Sequence, residues 1–312
     1  MRNTGSVALR APAKVNLYLR ILGARSDGFH DLETLFQALD LCDDVVVTRA
    51  EGGVSLSVEG PDLGPTEDNL AYRAALALLR ETGEEQGLHV RLRKRIPAGA
   101  GLGGGSSDAA AVLRAANALL GEPVSVDRLR ELGASLGSDV PFFLGSSPLA
   151  LGTGRGERLQ ALEPLPEAHV VLALPPVHVA TAAAYAALDR VRGSGAGEAP
   201  CFGTVAPRPR AWSEVARVAS NDFELVVPAQ HAPVRASLAA MRRAGARFSL
   251  LSGSGGACFG LFDDLDAAGS ASHEVETSLG WPAPVARTLT ALPVPGDPRE
   301  EEGTPDRRDP GG

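Results

Sequence analysis

The sequence predicts an α+β protein of two packed lobes, on three observations. Strand-like and helix-like segments follow one another without the strict alternation of a doubly wound parallel sheet. The 312 residues suffice for two domains, each burying its own core. No apolar run reaches membrane-spanning length, because prolines break the longest one, around residues 162–188.

The elements follow in order. Val45, Val46 and Val47, and the alternating VSLSV of residues 54–58, read as strands with one buried face. EDNLAYRAALALLRETG reads as a helix capped by Asp68 or Asn69 and stopped by Gly83. In LHVRLRKRI, Arg91, Arg93 and Arg95 share one strand face, and Val90, Leu92, Lys94 and Ile96 the other. In a chain of net charge -8 that arginine row reads as a solvated face, not a nucleic-acid stripe. After the glycine-rich residues 99–107, Ser106 or Ser107 is expected to cap a helix through Leu120, with Asp108 in its first turn and Gly121 as its stop. A second helix, residues 126–136, ends at Gly137.

VVLALPP, residues 170–176, is a buried strand, and TAAAYAALDRV a helix. Residues 193–210 have linker composition and read as a flexible insertion. Helices follow at 212–217 and 232–244, and RFSLLSGSGGACFGLF reads strand, tight turn, strand. From Pro293 the chain is too polar to bury anything and reads as a disordered tail. The expected division is 1–164, 165–292 and the tail 293–312.

Composition narrows the function classes. Cys42, Cys201 and Cys258 are odd in number and scattered, which excludes a disulfide framework or a metal knuckle and points to a reducing, cytoplasmic location. The first residues lack the apolar stretch of a secretion signal. Expected partners are small molecules, with neither nucleic acid nor membrane, and the chain is expected to be a monomer or weak homodimer. Of 30 basic residues only Lys14 and Lys94 are lysines. Where arginine is the default cation, a retained lysine suggests a need for a compact ammonium, the alternative being chance.

Residues 99–107, GAGLGGGSS, hold five glycines and two serines between a strand and a helix. That placement delivers free backbone N–H groups and a positive helix end to one point, and glycine lets a phosphate approach the backbone closely. A Walker A loop is excluded because no Gly-Lys-Ser/Thr follows, and a dinucleotide fingerprint because the loop does not follow the first strand of a βαβ unit. The loop reads as a phosphate holder.

PAKVNLYLRILGARSDGFHDLETLFQALDL (12–41) and LGSDVPFFL (136–144), with PAGAGLGGGSSDAAAVL (97–113) and SGSGGACFGLF (252–262), resemble the GHMP kinase superfamily. The resemblance spans residues 11–262 and is strongest to the branch acting on a cytidine-diphosphate-linked methylerythritol. It implies an N-terminal domain with the ATP loop, a smaller C-terminal α+β domain, and an active site in the cleft between them. The implied activity is phosphorylation of the substrate's 2-hydroxyl by ATP, with Mg²⁺, in the non-mevalonate isoprenoid route. The alternatives are another GHMP kinase, of the mevalonate, homoserine or sugar type, and a non-catalytic nucleotide sensor.

The matched residues carry implied roles. Pro97, Ala98, Gly99, Ala100, Gly101, Leu102, Gly103, Gly104, Gly105, Ser106 and Ser107 would hold the triphosphate, with Asn69 and Lys94 at the nucleoside end. Asp139 matches the proposed base, although as a residue before Val140-Pro141 it also reads as a helix cap. Lys14 matches the lysine beside that aspartate, and Asn16, two positions on, would bond the substrate polyol. Phe29, His30, Thr181 and Tyr185 would contact the cytidine. Phe29 stands where the family commonly has tyrosine, which keeps stacking but loses a hydroxyl bond. The Mg²⁺ ligands are open, with Ser107 and Asp108 as guesses that capping explains equally well.

Overall fold

Two long antiparallel strands, β1 (Ser6–Ala24) and β2 (His30–Ala50), form the spine of the computed structural model, which describes residues 5–193 and 207–296. The valines at 45–47 are only the far end of β2. Register shifts at Pro12/Lys14, Asn16/Tyr18 and Ile21/Gly23 interrupt the pairing and re-aim successive side chains.

The chain continues through β3 (Val54–Glu59), α1 (Leu70–Thr82), β4 (Gly87–Arg93), α2 (Gly104–Leu119), α3 (Val126–Leu136), α4 (Val140–Phe143), β5 (Leu149–Gly154) and β6 (Arg158–Ala161). It crosses to the second lobe with β7 (His169–Ala173), α5 (Thr181–Arg192), α6 (Trp212–Val218), β8 (Ser220–Asn221), α7 (Val227–Gln230), α8 (Ala232–Arg243), β9 (Phe248–Leu251), β10 (Cys258–Phe262), α9 (Leu265–Leu279) and β11 (Val285–Arg287). The first sheet runs β3-β4-β2-β1-β8, with β5 beside the start of β2 and β6 outside β5. The second runs β11-β7-β10-β9, all antiparallel.

Alanines explain how α2 sits so deep. Ala109, Ala110, Ala115 and Ala116 are fully buried and let the helix lie close on Val45, Val47, Leu88 and Val90, beside Ala71, Ala74 and Leu78 of α1. The second lobe closes α5, α8 and α9 around Val171, Ala173 and Phe262. A third cluster joins the lobes: Ala13, Val15, Leu17 and Leu35 of the first sheet cluster with Val170, Leu172, Leu250 and Phe259 of the second. No described helix is long and apolar enough to cross a membrane.

Two expectations need correction. The chain is not loose from Pro293: after β11 it returns to the first lobe, where Leu289 N–H donates to Ala38 O (2.9 Å), Arg114 donates to Pro293 O (2.7 Å) and Gly296 bridges Ala8. Residues 297–312 lie outside the described residues. So do 194–206 of the expected insertion, whose flanks are placed by Gly193 at the end of α5 and by Arg208, which donates to Gln160. Second, α2 starts earlier than Ser106. Gly103, at φ +72°, turns the chain into the helix, so both serines fall in its first turn and no side chain caps it.

Candidate active site

A cleft of about 780 Å³ opens between the lobes. It brings together Lys14, Asn16, Phe29, His30, Gly101, Gly103, Ser106, Asp139, Thr181 and Tyr185 of the expected site. Asn69 and Lys94 are not on its walls, and neither are the remaining loop residues.

Lys14 and Asn16 share the cleft face of β1 because they are two residues apart. Lys14, 4 % exposed, donates to Asn16 Oδ1 (2.8 Å). Asn16 Nδ2 donates to Thr34 Oγ1 (2.8 Å), which donates to Tyr18 O (2.8 Å). The Asn16 amide therefore orients the lysine. Lys14 also lies 5.5 Å from the centre of the Phe36 ring and 3.5 Å from Asp139 Oδ2. Asp139 precedes α4 with helical backbone angles, and its carboxylate caps nothing. Its side chain is 33 % exposed, so a carboxylate backed by an ammonium faces the cleft.

Two glycine turns, one from each lobe, meet beside this pair. Ala257 N–H donates to Ala100 O (3.0 Å), Ser252 Oγ to Gly101 O (2.9 Å), and Lys14 N–H to Leu102 O (2.9 Å). Gly101, at φ +85°, has no room for a Cβ because the Ser252 carbonyl oxygen occupies it. A Cβ on Gly103 would stand 2.9 Å from Lys14 Cγ and 3.2 Å from Phe143 Cζ. Gly103→Ala should therefore displace the lysine and lower kcat by up to about 10²-fold with the fold retained, as circular dichroism would check. A wild-type kcat in that variant would show that the lysine does not depend on this packing. Gly104 differs from expectation, because a Cβ added to it would meet Ile96 Cγ2 at 3.0 Å and Lys94 Nζ at 3.2 Å, so its open side faces the packing beneath the loop. What the loop offers a phosphate is the uncapped first turn of α2.

Lys94 was expected at the nucleoside end, and its ammonium is instead engaged beneath the loop. It is bonded to Asp43 and, at 2.7 Å, to Asp108, all three side chains being nearly inaccessible. Asp43 Oδ1 in turn accepts Arg95 N–H (2.5 Å) and Ile96 N–H (2.8 Å), tying down the end of β4 from which the loop departs. Asn69 caps α1 through Ala71 N–H (2.9 Å), the capping alternative of its reading. The Mg²⁺ guesses do not fit. Ser107 Oγ and Asp108 Oδ1 are buried without partners, but neither residue lines the cleft. Among the described residues no group of three or more His, Cys, Asp or Glu is placed to hold a metal.

At the other end of the cleft, Tyr185 stacks on His30 with ring centres 4.5 Å apart and meets Phe223 edge-on at 4.9 Å. Burial pushes the Tyr185 phenol up to about 12, with Asp139 and Asp189 adding to it, so it stays neutral at pH 7. Phe29, 52 % exposed, carries the Arg155 guanidinium over its ring at 4.7 Å. Thr181 Oγ1 lies 2.9 Å from Ser254 Oγ across the cleft mouth. Sequence reasoning missed Thr34, Phe36, Arg155, Asp189 and Gly253. Thr34 and Phe36 alternate with His30 and Leu32 along β2, and Asp189 lies one helical turn past Tyr185. Those two spacings were the available signals.

An uncapped, glycine-led helix end beside a lysine–aspartate pair, set between two α+β lobes, belongs to small-molecule kinases. The chain belongs to the GHMP kinase family: residues 69–146 match the GHMP kinases N terminal domain, and residues 203–279 the GHMP kinases C terminal domain. A 4-diphosphocytidyl-2-C-methyl-D-erythritol kinase of Geobacter sp. (strain M21) is 44% identical over 285 residues, covering 90% of this chain and 98% of its own. The protein of that name from Citrifermentans bemidjiense is 42% identical over 283 residues, with the same two coverages. A crystal structure of 4-(cytidine 5'-diphospho)-2C-methyl-D-erythritol kinase superposes with a TM-score of 0.76 at 37% identity, covering 90% of this chain and 98% of that one. A homoserine kinase from Cytophaga hutchinsonii shares the fold, with a TM-score of 0.70 at 22% identity over 94% of this chain and 97% of its own.

Proposed function

We propose that this chain transfers the γ-phosphoryl group of ATP to the 2-hydroxyl of 4-(cytidine 5'-diphospho)-2-C-methyl-D-erythritol, giving the 2-phosphate and ADP. The observation that carries the reading is the Lys14–Asp139 pair, 3.5 Å apart in the cleft beside the uncapped start of α2. The first-turn N–H groups of α2, with Ser106 and the Gly101–Gly103 backbone, receive the triphosphate. Asp139 accepts the proton of the 2-hydroxyl as its oxygen bonds to the γ-phosphorus and the bond to ADP breaks. The Lys14 ammonium offsets negative charge on the attacking oxygen. Asn16 keeps Lys14 pointed at that atom, and the Phe29, His30, Thr181 and Tyr185 end of the cleft takes the cytidine. No step is assigned to Mg²⁺, since neither residue expected to hold it reaches the cleft.

The setting is a reducing cytosol, a reading supported by two free, buried thiols, Cys42 and Cys258. Burial pushes the Cys42 thiol up to about 12, which keeps it unreactive. The test is a coupled ADP-release assay with the cytidylyl methylerythritol, mevalonate, homoserine and a sugar alcohol. Turnover is expected with the first alone, and preferred turnover of any other would overturn the assignment.

A further inference from the structure

His30 and Asp189 are 159 positions apart and sit on opposite lobes, His30 opening β2 and Asp189 on α5. His30 Nε2 lies 3.0 Å from Asp189 Oδ1 and 3.1 Å from Oδ2. A carboxylate only accepts, so this contact places a hydrogen on Nε2. Tyr185, one turn before Asp189 on the same helix face, stacks on the imidazole and fixes its plane. Among the described residues Nδ1 has no partner. A neutral imidazole with its hydrogen on Nε2 has a lone pair on Nδ1 and accepts there.

We propose that Asp189 is a specificity-determining positioning residue. By holding the hydrogen on Nε2 it makes His30 present an acceptor, and an acceptor pairs with the exocyclic amino group that cytosine has and uracil lacks. The proposal rests on the cytidine-substrate reading and deepens it. Stacking on Phe29 or Tyr185 tolerates every base, so discrimination needs a polar group of defined sense. Asp189 supplies that sense through the ring, since both of its carboxylate oxygens lie against Nε2, the nitrogen opposite Nδ1.

Two arms test it. The first uses the free full-length protein. Long-range ¹H–¹⁵N correlation of the His30 ring, at alkaline pH where imidazoles are neutral, should show the Nε2–H form in wild type. In Asp189→Ala it should show a mixture. A wild-type Nδ1–H form, or a tautomer unchanged in Asp189→Ala, overturns the proposal.

The second arm compares kcat/KM for the cytidine substrate and its uridine analogue. Asp189→Ala should cut the cytidine preference about tenfold, mainly through KM for the cytidine substrate. Asp189→Asn, whose carbonyl still accepts from Nε2–H, should retain most of it. In a His30→Ala background the Asp189→Ala change should have no further effect. Additive losses, or equal losses in the Ala and Asn variants, would overturn it. If wild type turns over neither substrate, the functional reading fails while the first arm still decides the tautomer.

Discussion

Asp139→Asn should lower kcat roughly 10²–10⁴-fold and leave ATP binding nearly unchanged. The substitution keeps the size and position of the side chain and removes only its ability to take a proton. Asp139 caps nothing, so the four-residue helix behind it loses no bond. Its side chain is partly exposed, and its partner Lys14 keeps the bond to Asn16 Oδ1, so little stability is at stake. ATP affinity by calorimetry and steady-state turnover separate the two effects. Unimpaired turnover would remove Asp139 from the chemistry; lost ATP affinity with normal kcat would make it a binding residue.

Lys94→Met should be the most destabilising single change in the first lobe. It would leave the Asp43 carboxylate buried without its cation, with two backbone N–H groups and the Asp108 carboxyl as its remaining partners. Breaking one side of a buried ion pair costs about 3–5 kcal/mol, or roughly 10 °C of Tm in a chain this size. A Tm within about 2 °C of wild type would show that the ammonium is not what balances these carboxylates.

The same cluster predicts a pH dependence. Burial, opposed by Lys94 and reinforced by Asp43, pushes the Asp108 carboxyl up to about 8, whereas in the unfolded chain it sits near 3.9. Between those values the native state holds a proton that the unfolded state has released. This group's contribution to stability is therefore fully present at and below about pH 4 and is lost as pH rises toward 8. Asp108→Asn should flatten that decline, read as Tm measured at intervals from pH 5 to 8.

Much of this was legible in the residues themselves. Asn69 and Gly83 bracket α1, Gly137 ends α3, and the lysine–aspartate pair follows from matched motifs. Local chemistry sets those features, and sequence displays local chemistry directly. The hairpin of β1 and β2 was hidden because three register shifts break its alternation. The start of α2 was misplaced because serines cap helices well, whereas here Gly103 makes the turn and leaves the first turn free. Lys94 found Asp43 51 positions away and His30 found Asp189 159 away. No spacing rule reaches that far.

The strap after β11 also bears on the order of synthesis. The strands that need it, β1 and β2, are made well before the second lobe, yet their partners Thr288, Leu289 and Gly296 follow only after it. At about 5–20 residues per second, the first lobe waits on the ribosome with those backbone groups unpaired until the second lobe has emerged. A nascent chain halted at residue 287 should thus be cut by protease in the first lobe, where the full chain resists.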